Sequence, residues 1–212
     1  MSLPTSMDKP VGVVLAGGLA RRMGGGDKTL RTLAGEPLLG HVLRRVRPQV
    51  SALALSANGD PDRFAAFALP VLGDTVPSFA GPLAGILAAL EWAANLPQPV
   101  DCLLSVPGDA PFLPEDLVLR LYAAVANAPA EIAYACSGGW RHPVVALWPL
   151  GLRLALRQAL VEEGLRKIEV FTARYHTVGV EWPVGAFDPF LNLNTPEDLA
   201  EAERKLTGLV ER

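Results

Sequence analysis

The chain has 212 residues and a mass of 22.5 kDa, the size of one domain with a sizeable core, so disulfide or metal staples are not needed to hold it together. Hydrophobic residues make up 50% and charged residues 19%, which excludes a disordered chain. The net charge of −3 is unevenly divided: the first fifty residues carry eight basic and three acidic side chains, net +5, and the other 162 carry eleven and nineteen, net −8, so an anion-facing N-terminal part is expected and a broad nucleic-acid surface is not.

Short apolar runs alternate with longer helical stretches. Val11 to Ala16 (VGVVLA) reads as a buried strand. Glu36 to Val46 reads as a helix with Leu38, Leu39, Val42 and Val46 on one face. Leu53 to Ser56 and Val71-Leu72 follow as strands. Pro82 to Ala94 is expected to be a helix, with Pro in its first turn and Leu83, Ile86, Leu87 and Leu90 at helical spacing. Cys102 to Val106 reads as a strand, Pro114 to Val125 as a helix, and Ile132 to Cys136 and Val144 to Trp148 as strands. Leu152 to Val161 reads as a helix and Thr177 to Glu181 as a strand. Thr195-Pro196-Glu197-Asp198 has the pattern of a helix start, with Thr as N-cap, Pro at the first position and acids in the first turn, and that helix should run to about Lys205. Strands alternating with helices imply an α/β domain with a largely parallel sheet. Residues 1–10 read as an N-terminal tail, 11–206 as a single domain and 207–212 as a C-terminal tail; Met7 is a second candidate start.

Cys102 and Cys136 are too few for a secreted-type framework, and His41, His142 and His176 have no zinc-ligand spacing. There is no apolar run of membrane-spanning length and no apolar signal-peptide core, so the expectation is a cytoplasmic protein. His41 and His176 are expected at the surface, and Arg44, Arg45 and Arg47 at a solvated helix end.

Two segments carry chemistry. After the first strand comes Leu15-Ala16-Gly17-Gly18-Leu19-Ala20-Arg21-Arg22-Met23-Gly24-Gly25-Gly26-Asp27-Lys28. Its glycines let backbone N–H groups approach a ligand, and Arg21, Arg22 and Lys28 add positive charge beside them, the combination that holds phosphates at the carboxyl end of a first strand. Asp27 between Gly26 and Lys28 breaks the Gly-Lys-[Ser/Thr] of a P-loop, and the glycines do not fit G-x-G-x-x-G. The second segment runs from a buried strand into Pro107-Gly108-Asp109-Ala110-Pro111. Asp109 there suits a hard divalent ion shared with phosphate oxygens, and equally suits a turn aspartate capping a loop.

Residues 15–28 resemble the nucleotidyltransferase signature LAGGxxxRMGxxK. Further segments follow in order: Gly81-Pro82-Leu83-Ala84-Gly85-Ile86, Pro107 to Phe112, His142-Pro143-Val144, Gly164-Leu165-Arg166-Lys167, and Asn192-Leu193-Asn194-Thr195-Pro196-Glu197-Asp198. Together they look like the molybdenum cofactor guanylyltransferase family, over roughly residues 11 to 205. The resemblance implies a single-domain Rossmann-like nucleotidyltransferase fold with a mostly parallel mixed sheet flanked by helices. It implies transfer of GMP from GTP to molybdenum-molybdopterin with Mg²⁺, nucleotide over the N-terminal half and molybdopterin over the C-terminal half. By motif, Leu15, Ala16, Gly17, Gly18 and Asp74 would contact nucleotide, Lys28 with Arg22 the phosphates, and Asp109 nucleotide and metal. Asn192 and Asn194 would serve catalysis or the molybdopterin side. His142 and the Arg166-Lys167 pair are open between plain surface roles and contacts to molybdopterin. Expected partners are GTP and molybdenum-molybdopterin, with transient contact to cofactor-insertion proteins or recipient molybdoenzymes, no nucleic acid, no membrane and a monomeric state. Ser56-Ala57-Asn58 departs from the Asn-Ala-Asn of some members, and Gly108-Asp109-Ala110-Pro111 also occurs in related cytidylyltransferases. A CTP-using or sugar-1-phosphate nucleotidyltransferase, or a non-catalytic nucleotide-binding protein, is therefore the alternative; Gly17-Gly18 and the intact Asn-x-Asn-Thr-Pro favour guanine.

Overall fold

The computed structural model describes residues 9–17, 27–76 and 81–210, with side chains through residue 208. Gly18, Arg21 and Arg22, expected in the phosphate loop, lie outside the described residues. In chain order the elements are β1 (Val11–Leu15), β2 (Thr32–Leu33), β3 (Glu36–Pro37), α1 (Leu38–Val46), β4 (Leu53–Ser56), β5 (Val71–Leu72), α2 (Pro82–Ala93) and β6 (Cys102–Pro107). They continue with α3 (Leu117–Ala126), β7 (Ile132–Ser137), β8 (Trp140–Pro149), α4 (Arg153–Val161), α5 (Ile168–Thr172), β9 (Thr177–Trp182) and α6 (Pro196–Val210).

Seven strands form one sheet in the order β5-β4-β1-β6-β8-β7-β9. β5, β4, β1 and β6 run parallel, β8 is antiparallel to both its neighbours, and β9 is parallel to β7. The mostly parallel mixed sheet of the sequence reading is thus present. Helices cover both faces, which explains why the central strands are apolar without alternation. Val14, Leu104 and Val106 pack in the layer that holds α1 and α3, whereas Val11, Val13 and Leu103 pack in the layer that holds α2, α4 and α5. Trp148 is fully buried, and its indole N–H donates to Ser105 Oγ at 2.8 Å, whose hydroxyl donates in turn to the Val144 carbonyl at 2.5 Å. Both polar groups inside this joint between β6 and β8 are therefore satisfied.

Several boundaries differ from the sequence reading for identifiable reasons. α1 starts at Leu38 because Glu36-Pro37 pairs back on Thr32-Leu33 around Ala34-Gly35, both with positive φ. α3 starts at Leu117, where the side chain of Gln49 accepts the Val118 N–H at 3.0 Å. β8 begins at Trp140, four residues earlier than expected, because a register shift opposite Tyr134/Ala135 lifts Pro143 out of the ladder. Proline has no N–H to give a ladder, so a bulge is where a strand tolerates it. α5 has no counterpart in the sequence reading; it is a short helix that follows directly on Arg166-Lys167. α6 runs on to Val210. His41 is half-buried, a ring nitrogen 2.9 Å from the Leu33 carbonyl, and is tied into the fold; Arg45 stays partly solvated while reaching the Leu113 carbonyl at 3.1 Å.

The start of α6 has the expected cap. Thr195 Oγ1 accepts the Asp198 N–H at 3.1 Å and Asp198 Oδ2 accepts the Thr195 N–H at 2.9 Å, the reciprocal pair of a capping box. Leu193 and Ala202 pack with Leu33 and Leu38, which holds the Asn192–Asn194 segment and α6 against the β2–β3 hairpin.

Candidate active site

The chain crosses from β1 leftward to β4 and β5 and then returns to β6 on the other side of β1. The strand order reverses there, and a crevice opens beyond the carboxyl ends of β1 and β6. Both chemistry-bearing segments leave the sheet at this point. Gly108 donates its N–H to the Leu15 carbonyl at 3.0 Å, and a Cβ on Gly108 would stand 2.8 Å from Thr29 Cγ2 and 3.2 Å from that carbonyl. Glycine is required by this close approach, which places Asp109 over the crevice.

Lys28 Nζ donates to both Asp109 Oδ2 and Asn194 Oδ1. The Lys28 and Asp109 side chains are only 13% and 16% exposed, so their charges neutralise each other largely out of water. Leu193 N–H donates to the Asp109 carbonyl at 3.0 Å, and Asp198 accepts the Asn194 N–H at 2.8 Å. Residues from three distant parts of the chain are thereby clasped at one point.

On one side of the clasp lies a cleft of 910 Å³, with Leu15, Gly17, Asp74, Asp109 and Asn192 in its walls. Ala16 is fully buried, and its N–H and that of Gly17 both donate to the Ser56 carbonyl, at 2.9 and 3.0 Å. Its expected place among the nucleotide contacts is thus a place behind the wall. Asn58 holds Asp74 by a reciprocal pair: its Nδ2 donates to Asp74 Oδ2 at 2.7 Å and its Oδ1 accepts the Asp74 N–H at 2.8 Å. Gly81, Pro82 and Gly85 bring the leading turn of α2 to the same cleft, where its N–H groups add positive partial charge. The sequence reading missed Arg63, which lies in a 3-10 turn over Pro61–Phe67, lines the cleft, pairs with Asp27 at 2.7 Å and donates to the Asn58 carbonyl at 2.6 Å. The only local signal was Asp60-Pro61, a turn start whose Asp side chain accepts the Asp62 N–H.

On the other side is a smaller cavity of 370 Å³ with Arg141, His142, Arg166 and Lys167 in its walls. It shares Pro82, Pro107, Val144 and Asn192 with the larger cleft, so the two form one continuous groove. Burial pushes the His142 ring below its ordinary 6.5, against the opposing pull of Asp188 and Glu181. Among the described residues no three or more His, Cys, Asp or Glu side chains gather as a metal cluster. Asp109 is nevertheless suited to Mg²⁺, which takes one or two protein carboxylates and shares the rest of its shell with phosphates and water. No helix among the described residues is long and apolar enough to cross a membrane.

An open sheet with a cleft at its switch point, and a cation–carboxylate pair at the cleft's edge, is the framework of a nucleotide-handling α/β enzyme. Residues 12–177 match the family model of the MobA-like NTP transferase domain, which makes it a nucleotidyltransferase. The chain is 58% identical over 192 residues to a molybdenum cofactor guanylyltransferase of Rhodopseudomonas palustris (strain BisB5), covering 91% of each chain. It is 58% identical over 193 residues to one from Bradyrhizobium sp. (strain ORS 278), again over 91% of each. The crystal structure of molybdopterin-guanine dinucleotide biosynthesis protein A from Archaeoglobus fulgidus superposes with a TM-score of 0.71 at 26% identity, over 93% of this chain and 99% of that one. The chain belongs to the molybdenum cofactor guanylyltransferase family.

Proposed function

We propose that this protein transfers GMP from GTP to molybdenum-molybdopterin, giving the molybdopterin guanine dinucleotide cofactor and pyrophosphate, with Mg²⁺ at Asp109. The observation that carries this reading is the clasp: one ammonium, Lys28, is shared between Asp109 of the larger cleft and Asn194 of the segment that reaches the second cavity. A groove with two compartments and its charged pair at their junction suits a reaction that joins two phosphate-bearing substrates.

In this reading the triphosphate lies in the larger cleft, drawn by Lys28, Arg63 and the leading turn of α2. Lys28 exchanges the Asp109 carboxylate for the phosphates and stabilises the departing pyrophosphate, with Arg22 alongside. Leu15, Gly17 and Gly18 meet the nucleoside, and the Asn58-held Asp74 orients it. Asn192, in the walls of both compartments, and Asn194 position the acceptor. An oxygen of the molybdopterin phosphate attacks the α-phosphorus, and the bond from that phosphorus to the bridging oxygen of the β-phosphate breaks. The attacking phosphate is already ionised near neutral pH, so positioning and charge neutralisation suffice and no strong general base is needed. Mg²⁺ held by Asp109 would supply charge neutralisation at the α-phosphate. The same reading has a cytoplasmic monomer that hands its product on through transient contact with cofactor-insertion proteins or recipient molybdoenzymes.

The test is a pyrophosphate-release assay with GTP, Mg²⁺ and molybdate-loaded molybdopterin, the dinucleotide being measured by mass spectrometry. Pyrophosphate should appear in step with the guanine dinucleotide and only when all components are present. Equal turnover with CTP, or release without the acceptor, would overturn the assignment.

A further inference from the structure

A chain of three side chains stands behind the smaller cavity. His142 Nε2 lies 2.8 Å from Ser137 Oγ, and Ser137 Oγ donates to Asp188 Oδ1 at 2.7 Å. Asp188 Oδ1 also accepts the Phe190 N–H at 2.9 Å. Ser137 is fully buried at the end of β7, and the His142 ring packs on Phe190 with centroids 5.0 Å apart, itself braced edge-on by Trp182 at 5.3 Å. The ring is thus held from its face and from one edge.

A serine hydroxyl has one proton. Here it goes to the carboxylate, so Ser137 Oγ turns a lone pair toward His142, and Nε2 must carry the hydrogen of that contact. In a neutral imidazole protonated on Nε2, Nδ1 is left as an acceptor. Burial favours the neutral ring, while Asp188 and Glu181 oppose it. Arg141, Arg166 and Lys167 in the walls of the smaller cavity are cationic donors suited to phosphate oxygens, and Asn192 and Glu169 stand among them. A neutral His142 adds an uncharged acceptor, its tautomer fixed by the Ser137–Asp188 chain behind it.

We propose that His142 is a specificity-determining residue whose Nδ1 accepts an N–H hydrogen bond from the heterocycle of the acceptor substrate, with Ser137 and Asp188 as positioning residues that set its tautomer. The chemistry recognised is an amino-pyrimidinone edge, which offers N–H donors where a phosphate offers none. The inference rests on the reading of the smaller cavity as the molybdopterin compartment.

Two measurements on the full chain test it. Ring ¹⁵N spectra of the three histidines at neutral pH, with His142→Gln to assign the signals, should show His142 protonated on Nε2 and bare on Nδ1, and Ser137→Ala should give a tautomer mixture. A wild-type His142 protonated on Nδ1 would overturn the proposal. In steady-state kinetics, His142→Phe should raise KM for molybdopterin roughly tenfold, with KM for GTP and kcat within about twofold. His142→Asn, whose amide oxygen stands near the Nδ1 position, should recover part of that loss. Unchanged molybdopterin KM in His142→Phe, while the wild type transfers GMP normally, overturns this inference alone. Absence of GMP transfer in the wild type, with the Nε2 tautomer intact, overturns the functional reading and with it the ligand assigned here.

Discussion

Lys28→Met removes the cation of the central clasp and leaves Asp109 behind, still only 16% exposed. Breaking a buried ion pair from one side is destabilising by about 3–5 kcal/mol, because the remaining charge is neither solvated nor compensated. The residual exposure at this site points to the lower end, roughly 3 kcal/mol. For a domain of this size about 1 kcal/mol moves Tm by roughly 2–4 °C, so the expected loss is about 6–12 °C. The assay is thermal unfolding followed by circular dichroism, without nucleotide or divalent ions. Asn194 loses its ammonium partner in the same variant, but it is exposed and water replaces that bond at little cost. Lys28→Met with Asp109→Asn should recover much of the loss, since neither charge then remains. Mg²⁺ should raise the Tm of Lys28→Met more than that of the wild type, because a ligand that binds only the native state stabilises by mass action and the carboxylate is no longer occupied by Lys28. A Lys28→Met protein that melts within about 2 °C of the wild type, or a double variant less stable than the single, would refute the reasoning.

Gly108→Ala places a methyl 2.8 Å from Thr29 Cγ2 and 3.2 Å from the Leu15 carbonyl, so β6 and the Asp109 loop must shift; a destabilisation of about 1–3 kcal/mol is expected in urea unfolding, with weaker nucleotide binding by titration calorimetry. Burial pushes the Cys102 thiol from 9.0 up to about 12, and raises Cys136 also. A raised thiol value means that the unfolded chain ionises first, so stability present below pH 9 should fall as pH rises from 9 toward 12. At pH 8 Cys102 should resist iodoacetamide in the folded protein and react once urea unfolds it; rapid labelling of the native protein would contradict its place in the core.

The sequence alone determined the parts whose cause is local. β1, β4 and β6 were legible because a strand covered on both faces must be apolar throughout. The start of α6 was legible because Thr195, Pro196 and Asp198 satisfy its end within a single turn. The glycine-rich segment and Asp109 stood out by residue type, and their placement beyond strands foretold a crevice at the sheet's carboxyl edge. What no local window contains is which distant segments meet. Lys28 was expected on the nucleotide and Asn194 on the acceptor side, yet 166 residues of chain separation close to a hydrogen bond between them. Arg63 reached the cleft through a turn with no helical or strand periodicity, and Ser137 and Asp188 met His142 only because β7, the β8 bulge and the segment after β9 pack together. Such contacts follow from topology, which orders the strands, and from packing, which decides that a glycine at position 108 lets Asp109 stand beside Lys28.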